Sequence, residues 1–218
     1  MKFIDFLSKT FGKKEFSPEK RAKYDYNVLS GNFNSFAVIS VDLQKNSLDN
    51  MNKNSREILL RYHRELAKIC KKKGTHYLYV EFGEKDRHIL REQGDVYFTK
   101  SFKSALELTN IESYLKRENI STVYVIGLER KLCIYFTIKD LIMKKFNVIT
   151  SIIGTATTQT YYRGLGNVKN GKTTVKESHR QIQNLIETYE KEPISAHGIK
   201  EELNHLKKLG VKILDYKD

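Results

Sequence analysis

The chain holds only two cysteines, Cys70 and Cys133, and no apolar run near the length of a membrane-spanning helix. Two thiols far apart in sequence make no disulfide framework and match no zinc-finger spacing. A helix needs roughly 20 predominantly apolar residues to cross a bilayer. The opening "MKFIDFLSKTFGKKEF" also lacks the uninterrupted apolar stretch of a secretory signal. The expectation is a cytoplasmic protein with reduced thiols and no membrane span. Acidic residues are in the minority, 26 Asp+Glu against 39 Lys+Arg, for a formal charge of +13. Such an excess raises nucleic acid or an anionic surface as a partner. The excess is dispersed, however. Its densest clusters, Lys71-Lys72-Lys73, Lys144-Lys145 and Lys207-Lys208, each fall near the end of an apparent helix, where cations complement the helix dipole. No RNA-recognition motif or basic coiled-coil region accompanies them, so no specific nucleic-acid binding is expected.

What is present supports a globular core: 218 residues, 39% hydrophobic and 11% aromatic, suit one sizeable domain. Residues 1–34 read as an N-terminal extension. Phe3, Ile4, Phe6, Leu7 and Phe11 form a short amphipathic piece, followed by the charged "KKEFSPEKRAKYDY". That apolar face suits either an interfacial helix or one docked on the body of the protein. From residue 35 to 218 the hydrophobic period alternates. "FAVISVDL" has strand length, and "SREILLRYHRELAKICKKKG" has helical spacing closing at Gly74, with Cys70 in the core and His63 an ordinary helix residue. "HYLYVEF", "DVYFTK", "STVYVIG", "FNVITSI" and "VKILDY" read as further strands. "TNIESYLKREN", with Thr109 and Glu112 at capping-box spacing, and "CIYFTIKDLIMKK" read as helices. "SAHGIKEELNHLKKLG" reads as a helix capped by Ser195 and closed by Gly210. Residues 155–193 form an inserted region: "RGLGNVKNGK" suits an exposed loop, a lid or an arm to another subunit, and "ESHRQIQNLIETYEK" suits a helix. The alternation predicts a three-layer α/β/α sandwich around a six-stranded, mostly parallel, doubly wound sheet.

Ligands of such sheets bind beyond the carboxyl ends of the strands. Three reactive side chains fall there: Asp42 ends "FAVISVD", Lys100 ends "DVYFTK", and Cys133 follows "STVYVIG" after a short loop. Singly, each has an ordinary reading as a turn residue, a solvated lysine and a compact core thiol. Together they supply what a nucleophilic cysteine needs. A free thiol has a pKa of about 8.5, so a nearby cation and a proton acceptor are required to use it near neutral pH.

These residues carry a family resemblance. "VDLQ" (Asp42, Gln44), "KSFKSAL" (Lys100, Ser104, Ala105, Leu106) and "GLERKLCIYFTIKDL" (Gly127, Cys133, Thr137, Asp140) resemble the three motifs of the isochorismatase-like cysteine hydrolases. That superfamily includes nicotinamidases, N-carbamoylsarcosine amidases and ureidoacrylate amidases. The resemblance covers roughly residues 35 to 155, more loosely 195 to 216, and selects Lys100 over Lys103 by its offset from "SAL". It implies hydrolysis of a C–N bond in a small amide or carbamoyl substrate through a thioester on Cys133, with Asp42 as base and Lys100 supporting charge. It further implies a cis peptide between Leu128 and Glu129 whose loop forms the oxyanion hole. Gln44, Arg130 and Thr137 would bind substrate, no cofactor would be needed, and the assembly would be a homodimer or homotetramer.

The pattern is broken in two places. Family members usually have Thr-Asp where this chain has Arg130-Lys131, and small residues at Glu129. The charged loop suits recognition of an anionic substrate, contact with a partner, or loss of catalysis. The rival function is therefore a catalytically inactive family member that binds or regulates through its basic surface; isochorismate hydrolysis is a third reading. Metal-binding members place an aspartate and histidines before the lysine. Here Asp86 and His88 imitate that pair, with His63 and His76 elsewhere. No metal is expected, for want of a third ligand at a settled spacing.

Overall fold

The computed structural model describes residues 17–49, 51, 53–83, 86–156, 204 and 206–214. Six strands, β1 (Phe36–Val41), β2 (His76–Phe82), β3 (Tyr97–Lys100), β4 (Thr122–Leu128), β5 (Asn147–Ala156) and β6 (Lys212–Ile213), form one sheet in the order β3-β2-β1-β4-β5-β6. Every pairing is parallel. The connecting helices are α1 (Pro18–Asn32), the single turn α2 (Lys45–Leu48), α3 (Lys53–Lys73), α4 (Ile111–Arg117) and α5 (Tyr135–Met143).

Alternation along the strands builds a core on each face. Ala37, Ile39, Val41, Val123 and Val125 meet Leu115 of α4 and Ile138 and Leu141 of α5. Phe36, Val38, Tyr124 and Ile126 meet Ala22, Tyr26 and Leu29 of α1 and Tyr62, Leu66 and Cys70 of α3. Both faces of the sheet are thus covered, as a parallel sheet requires. α3 ends where its pattern predicts, with Gly74 at φ +67, a left-handed terminus that glycine accepts without cost.

Helix α1 lies within the segment read as an extension. Ser17 caps it, accepting from Lys20 N at 3.4 Å, and Pro18 occupies the first turn where no N–H is needed. Its buried Asp25 receives the Tyr62 hydroxyl at 2.6 Å and Arg21 Nε at 2.7 Å, so the charge is paired where it is buried.

Local details depart from the pattern. No capping box forms at α4, because Thr109 Oγ1 donates back to Ala105 O at 2.6 Å and the cap is Asn110. β5 runs on through Thr155 and Ala156, so the start of the predicted insertion is strand. The rest of the insertion beyond residue 156, the Ser195 cap and the amphipathic piece at residues 3–11 lie outside the described residues. No described helix is long and apolar enough to cross a membrane.

Strand order reverses between β1 and β4, and a crevice opens at such a switch point. Gly127 makes the close approach possible there. A Cβ at this position would lie 2.1 Å from Val41 O, and its φ of +127 is one that L side chains avoid.

Candidate active site

Asp42 leaves β1 in a left-handed conformation, φ +58, tolerable for aspartate but costing about 1 kcal/mol, which turns its carboxyl out of the strand's alternation. Lys100 closes β3, and Cys133 follows β4. All three are buried, Lys100 with 1% of its surface exposed. Lys100 Nζ lies 2.9 Å from Asp42 Oδ2, 3.3 Å from Cys133 Sγ and 3.1 Å from Phe102 O. An ammonium has three donors, and these three acceptors, with Lys103 O farther off at 3.5 Å, leave none of them idle. Asp42 Oδ1 has no hydrogen-bond partner of ordinary geometry among the described residues, and the Cys133 thiol is its other polar neighbour.

The electrostatics follow from burial. Loss of water pushes the Asp42 carboxyl above its usual range, against the pull of Lys100. Burial likewise pushes the Cys133 thiol well up, the Asp42 charge pushes it further, and Lys100 opposes both. The resting arrangement is a protonated thiol between an acid and an ammonium. A thiolate here forms only as the proton moves to a neighbour.

Cys133 was expected to open an α-helix. It lies instead in a wide π-turn, Arg130–Ile134, in which Ile134 N donates to Glu129 O at 3.1 Å before α5 begins. The expected cis peptide is absent: the Leu128–Glu129 bond is trans, and Glu129 reverses the chain with a left-handed φ of +60.

The three residues expected to bind substrate are engaged internally. Arg130 is buried: Nε donates to Thr155 Oγ1 at 2.8 Å, and Nη2 donates to Ile152 O at 3.0 Å and to Thr155 O. The guanidinium therefore ties the cysteine loop to β5. Thr137 Oγ1 accepts from Ala105 N at 2.9 Å, pinning the loop after Lys100 onto α5. Gln44 clamps the end of β2, donating to Phe82 O at 3.1 Å and accepting from Phe82 N at 2.7 Å.

His63, read as an ordinary helix residue, is wholly buried. Its Nε2 meets Gly154 O at 2.8 Å, which only a protonated Nε2 can do. Nδ1 is then an acceptor, 3.1 Å from Ser40 Oγ, which in turn meets His88 Nε2 at 2.9 Å. Burial lowers the His63 pKa to about 4, so the chain of groups is neutral. Ser40 on β1, Tyr77 on β2, whose hydroxyl lies 3.2 Å from His63 Nδ1, and Gly154 on β5 are remote in sequence, and no local pattern could announce this network. The Asp86–His88 lookalike does not fit a metal. Both His88 ring nitrogens have partners, Ser40 Oγ and Leu90 N, and the Asp86 carboxylate accepts from Asn46 N at 2.9 Å.

With a thiol, a carboxyl and an ammonium gathered past the carboxyl ends of three parallel strands, the relationship can be stated. The Isochorismatase domain model matches residues 36–178, more than half of the chain. The chain belongs to the isochorismatase family of hydrolases. Among solved structures it is similar to N-carbamoylsarcosine amidase from Thermoplasma acidophilum, with 14% identity and a TM-score of 0.58, covering 82% of this chain and 95% of that one. It is also similar to pyrazinamidase of Pyrococcus horikoshii in complex with zinc, with 14% identity and a TM-score of 0.56, covering 84% and 99%. An isochorismatase from Pseudomonas putida gives 14% identity and a TM-score of 0.52, covering 65% and 90%. No curated protein matches the sequence. At these identities the structural likeness speaks for the fold, and this isochorismatase-family chain has the six-stranded parallel sheet flanked by helices that the sequence predicts.

Proposed function

We propose that this isochorismatase-family hydrolase cleaves the C–N bond of a small amide or carbamoyl compound, with Cys133 as nucleophile, Asp42 as general base and Lys100 holding the developing charge. The observation that carries this is the contact of Lys100 Nζ with both Asp42 Oδ2 at 2.9 Å and Cys133 Sγ at 3.3 Å. The amidases among the similar structures support the substrate class.

In the first half-reaction the Cys133 sulfur bonds to the amide carbon as its proton passes to Asp42. Asp42 then delivers that proton to the departing nitrogen, the C–N bond breaks, and ammonia or an amine leaves a thioester. In the second half, water attacks the thioester, Asp42 takes the water proton, and the thiol is regenerated with release of the acid. Lys100 keeps its proton throughout and offsets the charge on Asp42 and sulfur. The backbone of Leu128, Glu129 and Cys133 borders the carbonyl oxygen in this reading. Each step uses only groups of this chain and water. We further infer a cytoplasmic homodimer or homotetramer, which sedimentation would test.

Ammonia release from a panel of small primary amides and carbamoyl compounds tests the reading. Turnover that falls at least about 1,000-fold in Cys133→Ala supports it; turnover that survives that substitution, or no release from any compound, overturns it. A binding module without catalysis is the second reading, favoured by the trans Leu128–Glu129 bond. It predicts that Cys133 resists alkylation at every pH up to 9, whereas the hydrolase reading predicts modification.

A further inference from the structure

Resting on the hydrolase reading above, we infer that Lys103, lying against the ring of Phe136 beside Cys133, binds a negatively charged group of the substrate, so that the compound hydrolysed is a small amide carrying a carboxylate or an equivalent anion. Lys103 Nζ lies 5.2 Å from the Phe136 ring centroid, and Phe136 stands three residues past Cys133 at the start of α5. The Lys103 carbonyl is 3.5 Å from Lys100 Nζ, and the Ala105 N to Thr137 Oγ1 bond fixes the same loop on α5. Lys103 is thus held at the site from both sides.

Its ammonium lacks what the other site cations have. Lys100 is bonded to Asp42, and Arg130 is bonded to β5. Among the described residues no carboxylate lies within ion-pair distance of Lys103 Nζ; Glu107 acts on it only as a weaker field after burial and Cys133. A half-buried ammonium without a counter-ion pays part of its desolvation with nothing to offset it, and an anion at the ring edge supplies the missing interaction. Phe82 and Phe102, 52% and 42% exposed, stand beside Lys100, one with its ring 4.8 Å from Nζ and the other with its carbonyl bonded to it. They offer apolar surface for the uncharged part of the same molecule. Anion recognition, which the sequence suggests for the charged loop at residues 129–131, moves to Lys103.

The test uses the thiol itself. The full-length protein, Lys103→Gln and Lys103→Arg are treated with iodoacetate and with iodoacetamide, reagents of similar size that differ by one negative charge, at low salt, and modification of Cys133 is followed by peptide-resolved mass spectrometry. The ratio of the two rate constants is expected to fall about threefold to tenfold in Lys103→Gln and to be retained in Lys103→Arg. An unchanged ratio in Lys103→Gln overturns the inference and leaves the hydrolase reading standing. Failure of iodoacetamide to modify Cys133 in the unsubstituted protein overturns the hydrolase reading and the inference with it.

Discussion

Cys70 and Cys133 are both buried, 0% and 6% exposed, and burial raises both thiols, Cys70 to about 12. Exposure and basicity therefore do not separate them. Their neighbours do. Cys70 sits on α3 within the cluster of Leu66, Tyr77 and Tyr79, and its own carbonyl accepts from Thr75 N at 2.9 Å to close the helix. No charged side chain enters into its shift. Around Cys133 the same apolar enclosure contains a carboxyl and an ammonium. The comparison teaches that an enclosed thiol becomes useful when a proton acceptor is enclosed with it, since the proton can then move without crossing to solvent.

Asp42→Asn breaks the comparison most strongly, in two measurements at once. The amide keeps the shape and removes the base, so ammonia release should fall about 100- to 10,000-fold. The thiol gives up its proton only to a neighbour, so alkylation of Cys133 by iodoacetamide at pH 8 should slow as well, burial still holding the thiol up although one of the charges that raise it is gone. Cys70, far from Asp42 and already isolated, should not respond. Turnover or Cys133 alkylation left unchanged in Asp42→Asn would remove Asp42 from the base role. If Asp42 is the base proposed above, activity in the unsubstituted protein requires its ionised form, and its raised pKa places the acid limb of kcat/KM above the ordinary carboxylate value of 3.8.

The elements that place these residues were legible because each is local: apolar runs of strand length end at Asp42 and Lys100, and Gly127 with Cys133 marks the turn after β4. The destinations of long polar side chains were not. Arg130, Gln44 and Thr137 find their partners on β5, at the end of β2 and in the loop after β3, and which carbonyl or amide faces them is set by tertiary packing. The π-turn at Arg130–Ile134 was hidden for the same reason: its first three residues read as loop and its last two as the start of a helix, and its tie to β5 is made by tertiary packing.

Arg130→Met sharpens the contrast between the cysteine loop and the helix that carries Cys70. It leaves Ile152 O and Thr155 O without the guanidinium, and two buried carbonyls losing a charged donor cost about 3 kcal/mol. Denaturant unfolding should show that loss. Because the tether sits three residues before the sulfur, kcat should also fall, about tenfold, with Arg130→Lys intermediate. A stable Arg130→Met with full turnover would mean that the π-turn holds its shape without β5.

The smallest effect is expected at Cys70→Ala. The sulfur fills a closed apolar position, so its removal costs the transfer of one small group plus a residual void, about 1 kcal/mol. Cys70→Ser should cost more, because a hydroxyl there must bond back to its own helix or remain unsatisfied in the cluster. Neither change touches Asp42 or Lys100, so kcat/KM and the Cys133 alkylation profile should match those of the unsubstituted protein. Loss of turnover in Cys70→Ala at a temperature where the protein remains folded would show that the two thiols are coupled through the sheet, and their division into a packing residue and a chemical one would fail.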